Sequence, residues 1–316
     1  MDQPFIYKYR PKNLKDFEIN STIIELLETF VNTGLLNILL VGDSGSGKTS
    51  LINCIIKAYY NENYNTDNIL TINSLKDQGI SYYRSDVKTF CQTMSSIPNK
   101  KKIVVLDDID NINEQSQQVF RNCIDKYSKN VCFIASCSNI QKVIDSYQSR
   151  VFIIKIKPLE IVHLNNIINK NCKIEDIKIE DKAKEFIISL CNNSVRTLIS
   201  YLEKFKLLNS YVTYDIAVNT CTNISFNDFH KYIYFCINND LTKAIELLYN
   251  IYDRGYSVID ILDNLYLFIK ITDIIEEEKK YIIIKCICKY ITIFYNIHEN
   301  EIELALLTNN LIDSIK

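Results

Sequence analysis

Leu35-Leu36-Asn37-Ile38-Leu39-Leu40-Val41-Gly42-Asp43-Ser44-Gly45-Ser46-Gly47-Lys48-Thr49 is the stretch on which the fold turns. It begins as an apolar run of the kind that forms a strand buried on both faces. Residues 42–49 then match GxxxxGK[ST] at every fixed position, and a helical pattern continues to Tyr60. Strand, glycine loop and helix in that order make a phosphate cradle. The glycines let backbone N–H groups converge on phosphate oxygens, at a helix N-terminus that already favours anions. Lys48 is placed to reach the β and γ phosphates, and the Thr49 hydroxyl to ligate Mg²⁺. Ser50 follows on the same helix. Asp43, an acid in a loop made for anions, is expected to point outward.

Downstream, apolar runs alternate with helical patterns. Strands are expected at 68–73, 102–106, 131–136 and 151–156, with helices at 49–60, 81–94, 113–127 and 140–146. Continuous apolar strands separated by helices predict an α/β domain, a parallel sheet with helices on both faces. After Pro158 only three- and four-residue periodicities remain. They predict helices at 159–170, 181–191, 194–209, 225–238, 241–253, 257–275, 279–295 and 301–315, with a division near residues 221–224.

Further polar groups fall at strand ends. Ile103-Val104-Val105-Leu106 runs into Asp107-Asp108, where a Walker B carboxylate belongs. Asp107 would hold Mg²⁺ through its water shell. Asp108 stands where a glutamate usually orients the attacking water, and a displacement near 1 Å there costs about 10²-fold. An acidic strand end that caps the next turn is the plainer alternative. Ser136-Cys137-Ser138-Asn139 closes the following strand and puts Asn139 within reach of a γ-phosphate or its water. Arg150, in Gln148-Ser149-Arg150, has neither pattern nor neighbours to bury it and is available to a partner. Each of these two, taken alone, also fits a solvated surface.

Composition bounds the partners. With 316 residues, 47% of them hydrophobic, and only 6 Gly and 4 Pro, the chain has material for more than one core. Its 36 basic against 38 acidic residues exclude binding of nucleic acid by bulk charge, but not by a local basic surface. The odd count of 11 Cys, without CxxC pairs, and the lack of a secretory signal at the start point to reduced thiols inside a cell. Residues 281–297 fall just short of a membrane span, and Lys285 and Lys289 interrupt them on one helix face, so no membrane is expected.

Taken together, these residues resemble the AAA+ clamp-loader family, and within it the replication factor C small subunits. Lys8-Tyr9-Arg10-Pro11-Lys12, with Leu14, Asp16 and Phe17, is similar to the family's KYRPK opening, which lies against adenine. Asn73-Ser74, Gly79-Ile80, Arg84, Val87-Lys88 and Phe90 resemble a further family segment, and Gln117-Gln118 with Arg121 its Q-Q-A-L-R-R helix. Residues 137–139 and 148–150 look like the sensor-1 and SRC motifs, with Val151 in place of Cys, and Ser194-Val195-Arg196 looks like sensor 2. The resemblance spans the whole chain and weakens after Thr222.

That resemblance implies an AAA+ nucleotide-binding domain at 1–158, a helical lid at 159–222 and a helical collar for assembly at 223–316. It implies ATP and Mg²⁺ as cofactors, with Tyr9 and Arg10 near the base and Arg196 on the γ-phosphate. Arg150 becomes a finger that acts on the neighbouring subunit's ATP. Arg84 and Lys88, one turn apart, take the place of contacts to the DNA backbone, although a solvated helix face would look the same. The implied partners are the other subunits of a hetero-pentamer, a sliding clamp and primer–template DNA, in a nucleus or a cytoplasmic viral replication site. The excess of Ile, Asn, Lys and Tyr suits an AT-rich genome, of a large DNA virus or an AT-rich eukaryote. Asp108 for Glu and Asn193-Ser194 for Gly-Asp make ATP binding a firmer expectation than hydrolysis. Two alternatives follow: a non-hydrolysing structural subunit of the loader, or another AAA+ machine that remodels DNA.

Overall fold

The computed structural model describes residues 3–61, 64–73, 80–191, 193–222, 224–272, 275–294 and 298–315. In chain order the regular elements begin with α1 (Phe5–Lys8), α2 (Ser21–Thr33), β1 (Ile38–Val41), α3 (Lys48–Tyr60), β2 (Ile69–Asn73) and α4 (Ile80–Gln92). Then come β3 (Lys102–Asp107), α5 (Glu114–Tyr127), β4 (Val131–Cys137), α6 (Asp145–Gln148), β5 (Phe152–Lys155) and α7 (Ile161–Glu175). The remainder is α8 (Asp181–Leu190), α9 (Val195–Leu208), α10 (Tyr214–Cys221), α11 (Phe226–Ile237), α12 (Leu241–Tyr252), α13 (Val258–Ile271), α14 (Glu277–Ile293) and α15 (Ile302–Ile315). The chain divides into one unit of residues 1–176 and 191–208, and a second of residues 177–190 and 209–316. The segment expected to form a lid is thus shared: α7 and α9 belong to the first unit, α8 and α10 to the second.

In the first unit the five strands are parallel and lie in the order β2-β3-β4-β1-β5. Side chains alternate across the sheet. Ile38, Leu40, Ile103, Val105 and Ile134 face a core completed by Leu27 of α2 and Leu51, Ile52 and Ile55 of α3. Leu39, Val104, Leu106, Phe133 and Ala135 face the opposite core, with Val87 and Cys91 of α4 and Phe120, Cys123 and Ile124 of α5. Two apolar faces explain why the strands read as unbroken hydrophobic runs. Phe133 is fully buried in the second core. Phe133→Ala is expected to cost about 3–5 kcal/mol of stability, read as a lower urea midpoint with an unchanged slope.

α2 has no counterpart among the expected helices. Asn20 caps it by accepting from the Thr22 N–H at 3.1 Å, and Gly34 ends it at φ 69°. The helix expected at 140–146 is not continuous. A 3-10 turn over Ile140–Lys142 gives way to extended Val143 and Ile144 before α6 begins. Buried Gln117 supplies the reason. Its side-chain amide donates to Lys142 O at 3.0 Å and Ile112 O at 2.9 Å, and its Oε1 accepts from the Ile144 N–H at 2.9 Å. These bonds compete with a helical hydrogen-bond ladder for the same backbone groups.

Among the described residues, the second unit is helical apart from one parallel bridge between Ile179 and Val212. Phe186 packs edge-on to Phe226, and Phe226 to Phe268, in a core where buried Tyr232 meets the Thr308 hydroxyl at 3.1 Å. Among the described residues no helix is long and apolar enough to cross a membrane.

Candidate nucleotide-binding site

β1 ends at Val41, and the chain turns over Gly42–Gly47 into α3. Gly45 (φ 79°) and Gly47 (φ 90°) adopt left-handed backbone, which glycine enters without steric cost. A Cβ on Gly45 would lie 2.2 Å from Ser194 Oγ, at the start of α9. Asp43 and Ser44 are exposed, so Asp43 does point away from the loop's interior. Ser46 Oγ is buried without a hydrogen-bond partner, a donor left over inside the loop.

Lys48 is buried at 6% exposure, and its ammonium donates to Gly42 O at 2.8 Å, Asp43 O at 2.9 Å and Ser138 Oγ at 3.3 Å. Thr49 Oγ1 lies 3.1 Å from Asp107 Oδ2. On its other side Asp107 accepts from Ser136 Oγ at 2.6 Å, and that hydroxyl accepts from the Asp108 N–H at 3.0 Å. One hydroxyl and one carboxylate side by side are the donor set that Mg²⁺ takes when it keeps several waters. With the unpartnered Ser46 hydroxyl and the left-handed glycines, these residues fit Mg²⁺ with a nucleoside polyphosphate.

Asp108 also lies in the left-handed region, at φ 54° and ψ 55°, a conformation that Asp tolerates better than most side chains. Its carboxyl accepts no hydrogen bond from the described residues. Burial first, and then the neighbouring Asp107 charge, push its pKa above the ordinary carboxylate value, against the opposing pull of Lys48 and Arg196. Arg196 is exposed on the first turn of α9.

Two side chains stand at the polar end of β4. Asn139 Oδ1 caps the turn after β4 by accepting from the Gln141 N–H at 2.9 Å. Ser138 is the residue here whose side chain meets Lys48. Asp110 sets this turn, its Oδ2 accepting from the N–H groups of Ser138 (3.1 Å) and Asn139 (2.9 Å). Neither Ser138 nor Asp110 stood out in the sequence. The one available signal was a third acid two residues after Asp108.

Arg150 is not the free side chain that its neighbours suggested. Its Nε donates to Asp125 Oδ1 at 2.7 Å, and Nη1 to Ser146 O at 2.7 Å. The Arg150 hydrogen bond holds the Asp125 carboxyl below its usual range, and Arg121 adds a second ion pair at 3.4 Å.

Tyr9 and Arg10 are fastened to different helices. The Tyr9 hydroxyl donates to Glu175 of α7, which also takes the Lys8 ammonium at 2.5 Å. Arg10 Nε donates to Ser50 Oγ of α3 at 3.0 Å. The opening segment is therefore anchored both to the helix that follows the glycine loop and to α7. Glu175 was also missed, since nothing local to α7 marks it. Lys88 is exposed on α4, whereas the Arg84 side chain and residues 74–79 lie outside the described residues.

Residues 38–159 match the ATPase family associated with various cellular activities, and residues 224–290 match the replication factor C C-terminal domain. A probable replication factor C subunit 5 of Dictyostelium discoideum is 30% identical, over 84% of this chain and 78% of its own. A putative replication factor C small subunit of Acanthamoeba polyphaga mimivirus is 28% identical, over 86% and 85%. Among solved structures, the Holliday junction branch migration motor RuvB of Thermotoga maritima superposes with a TM-score of 0.53 at 18% identity, covering 74% of this chain and 80% of that one. That likeness concerns the fold alone. With both family segments in place and relatives matched over most of their length, the chain belongs to the replication factor C small-subunit family.

Proposed function

We propose that this chain is an ATP-driven subunit of a hetero-oligomeric clamp loader, which opens a sliding clamp and places it on primed DNA. The observation that carries this reading is the Lys48, Thr49, Asp107 and Ser136 constellation around the glycine loop, in a chain of this family. Bound Mg-ATP would supply an activated phosphoanhydride. Lys48 would exchange its two loop carbonyls for phosphate oxygens, and Thr49 with Asp107 would hold the metal. Ser136 bonds one oxygen of Asp107, and the other, which accepts from Thr49, would turn to the metal. Asp108 would orient and deprotonate the attacking water, Asn139 and Ser138 would line the γ-phosphate side, and Arg196 would approach from α9. Arg150 would complete a neighbour's site, and Arg84 and Lys88 would contact DNA phosphates, which carry no sequence information. In this reading residues 1–158 bind nucleotide, 159–222 form the lid and 223–316 the assembly collar, in a nucleus or a cytoplasmic replication site.

A second reading is favoured by Asp108 itself. Its carboxylate stands on a stem one methylene shorter than the usual glutamate, which sets it back from the attacking water. The chain would then bind ATP, lend Arg150 to a neighbour and turn over nothing in its own site. The test is co-purification with candidate large and small subunits and the clamp, followed by DNA-stimulated ATPase with Asp108 intact or changed to Asn. A working base predicts a loss of about 10²-fold or more in this site's turnover. It also predicts a rate that falls on acidification through a pKa above the ordinary carboxylate value, because only the ionised form accepts the proton. Unchanged turnover in Asp108→Asn would leave the structural role. Self-assembly into closed hexamers, without clamp association, would overturn both readings for a different AAA+ machine.

A further inference from the structure

Residues 5–17 run as a strap from α9 to the phosphate loop, and the strap is fastened along its length. Toward the loop, Arg10 Nε donates to Ser50 Oγ on the first turn of α3 at 3.0 Å, and Pro11 O accepts from Cys54 Sγ at 3.2 Å. The Phe17 ring lies 3.6 Å from where a Cβ on Gly47 would stand. Toward the other end, the Phe5 N–H donates to Glu203 of α9 at 3.1 Å. Lys8, at 2.5 Å, and the Tyr9 hydroxyl converge on Glu175 at the end of α7. The Glu175 side chain is only 10% exposed. Lys206 of α9 stands beside it, with Nζ 3.9 Å from Oε2 and 2.6 Å from the Glu175 carbonyl oxygen. One enclosed carboxylate thus ties together the strap, α7 and α9. The first turn of α9 meets the phosphate loop directly as well. Ser194 Oγ, which accepts from the Thr197 N–H at 3.3 Å, is the atom that a Cβ on Gly45 would strike. Ser194 and Glu203 are about 14 Å apart along the helix axis, so α9 is held near both ends, with Arg196 on its first turn.

We propose that Glu175 is a positioning residue of the nucleotide site: by joining the strap to α7 and α9, it keeps the first turn of α9, and with it Arg196, against the phosphate loop. The inference rests on the ATP-binding reading above, in which Arg196 approaches the γ-phosphate. Glu175 itself touches no phosphate. It acts through Lys8 and Tyr9 on the strap and through Lys206 on α9. A helix fixed near both ends holds its first turn in place, whereas one fixed only at Ser194 can tilt. Without the carboxylate, the strap keeps its bond from Phe5 to α9 but loses its link to α7. The consequence falls on the phosphate that ATP has and ADP lacks, since that is the group within the reach of Arg196.

The test titrates the full chain with Mg-ATP and with Mg-ADP in a calorimeter. Glu175→Ala is expected to weaken ATP about tenfold and ADP by less than about twofold, within the range of about 10²-fold that a misplacement near 1 Å can cost. Arg196→Ala should give the same selective loss. The double variant should lose no more than the larger of the two single variants, because both changes act on one contact. Glu175→Gln, which keeps an acceptor for Tyr9 but no charge for the lysines, should lose less than Glu175→Ala. Should Glu175→Ala fail to fold, Lys8→Gln with Tyr9→Phe removes both strap donors from an intact Glu175 and should show the same selective loss. No loss, equal losses of ATP and ADP, or additive effects of Glu175→Ala and Arg196→Ala would overturn the proposal and leave Glu175 a clamp for stability alone. An unchanged protein that binds neither nucleotide would overturn the ATP-binding reading, and this inference with it.

Discussion

Lys48→Met is expected to lower nucleotide turnover by about 10²–10³-fold, the scale on which removing one preorganised donor acts. The methionine stem occupies nearly the volume of the lysine stem, so the buried packing around position 48 is kept. What disappears is a charged donor that already lies within 2.9 Å of two loop carbonyls. Gly42 O and Asp43 O lose those bonds, and incoming phosphate loses the cation that would replace them. Titration with a fluorescent ATP analogue and steady-state ATPase measurements check the two effects separately. Turnover within twofold of the unchanged protein would refute a role for Lys48 at the phosphates.

Arg150→Ala should have the second large effect, and only in the assembled complex. Loss of a finger in trans is expected to slow hydrolysis in the neighbouring site by about 10³–10⁵-fold, while nucleotide affinity of the isolated chain stays unchanged. The resting partner of Arg150 sharpens this expectation. The guanidinium is held by Asp125 through Nε, so in the proposed role it would either leave that carboxylate or act while bonded to it. The pair is partly exposed, so its strength is at most about 1 kcal/mol. Asp125→Asn should therefore alter turnover by less than about tenfold. A collapse as deep as that of Arg150→Ala would mean that Asp125 positions the finger in its working state too. Single-turnover assays on reconstituted complexes separate these outcomes.

The sheet was legible because burial on both faces removes the polar alternation that elsewhere obscures strands. All five strands lie where apolar runs predicted them, within a few residues at each end. α10, of eight residues, is too short to show a clear period, whereas α2 is as long as α3 and was missed although its caps, Asn20 and Gly34, are both legible. The break at Val143 and Ile144 was illegible for a different reason: it is imposed by Gln117, more than twenty residues away. The glycine loop and Asp107 could be read from local spacing, since their chemistry is local. The partners of Arg150 and Tyr9 could not, because Asp125 and Glu175 reach them only through the tertiary fold. Asn139 shows the limit most plainly. In sequence it stands next to Ser138, and only the turn fixed by Asp110 determines which of the two side chains meets Lys48.

β1 is bonded to β4 on one side and β5 on the other, and Ile38, Leu39 and Leu40 are fully buried. Its amides should exchange with deuterium only when the whole sheet opens, among the slowest in the protein. Asp43 and Ser44, the next residues but one along the chain, are exposed and should exchange at once. The glycine loop thus marks an abrupt step in timescale. Its slow side gives a clock that nucleotide leaves nearly untouched, against which protection of the fast side on ligand addition can be timed.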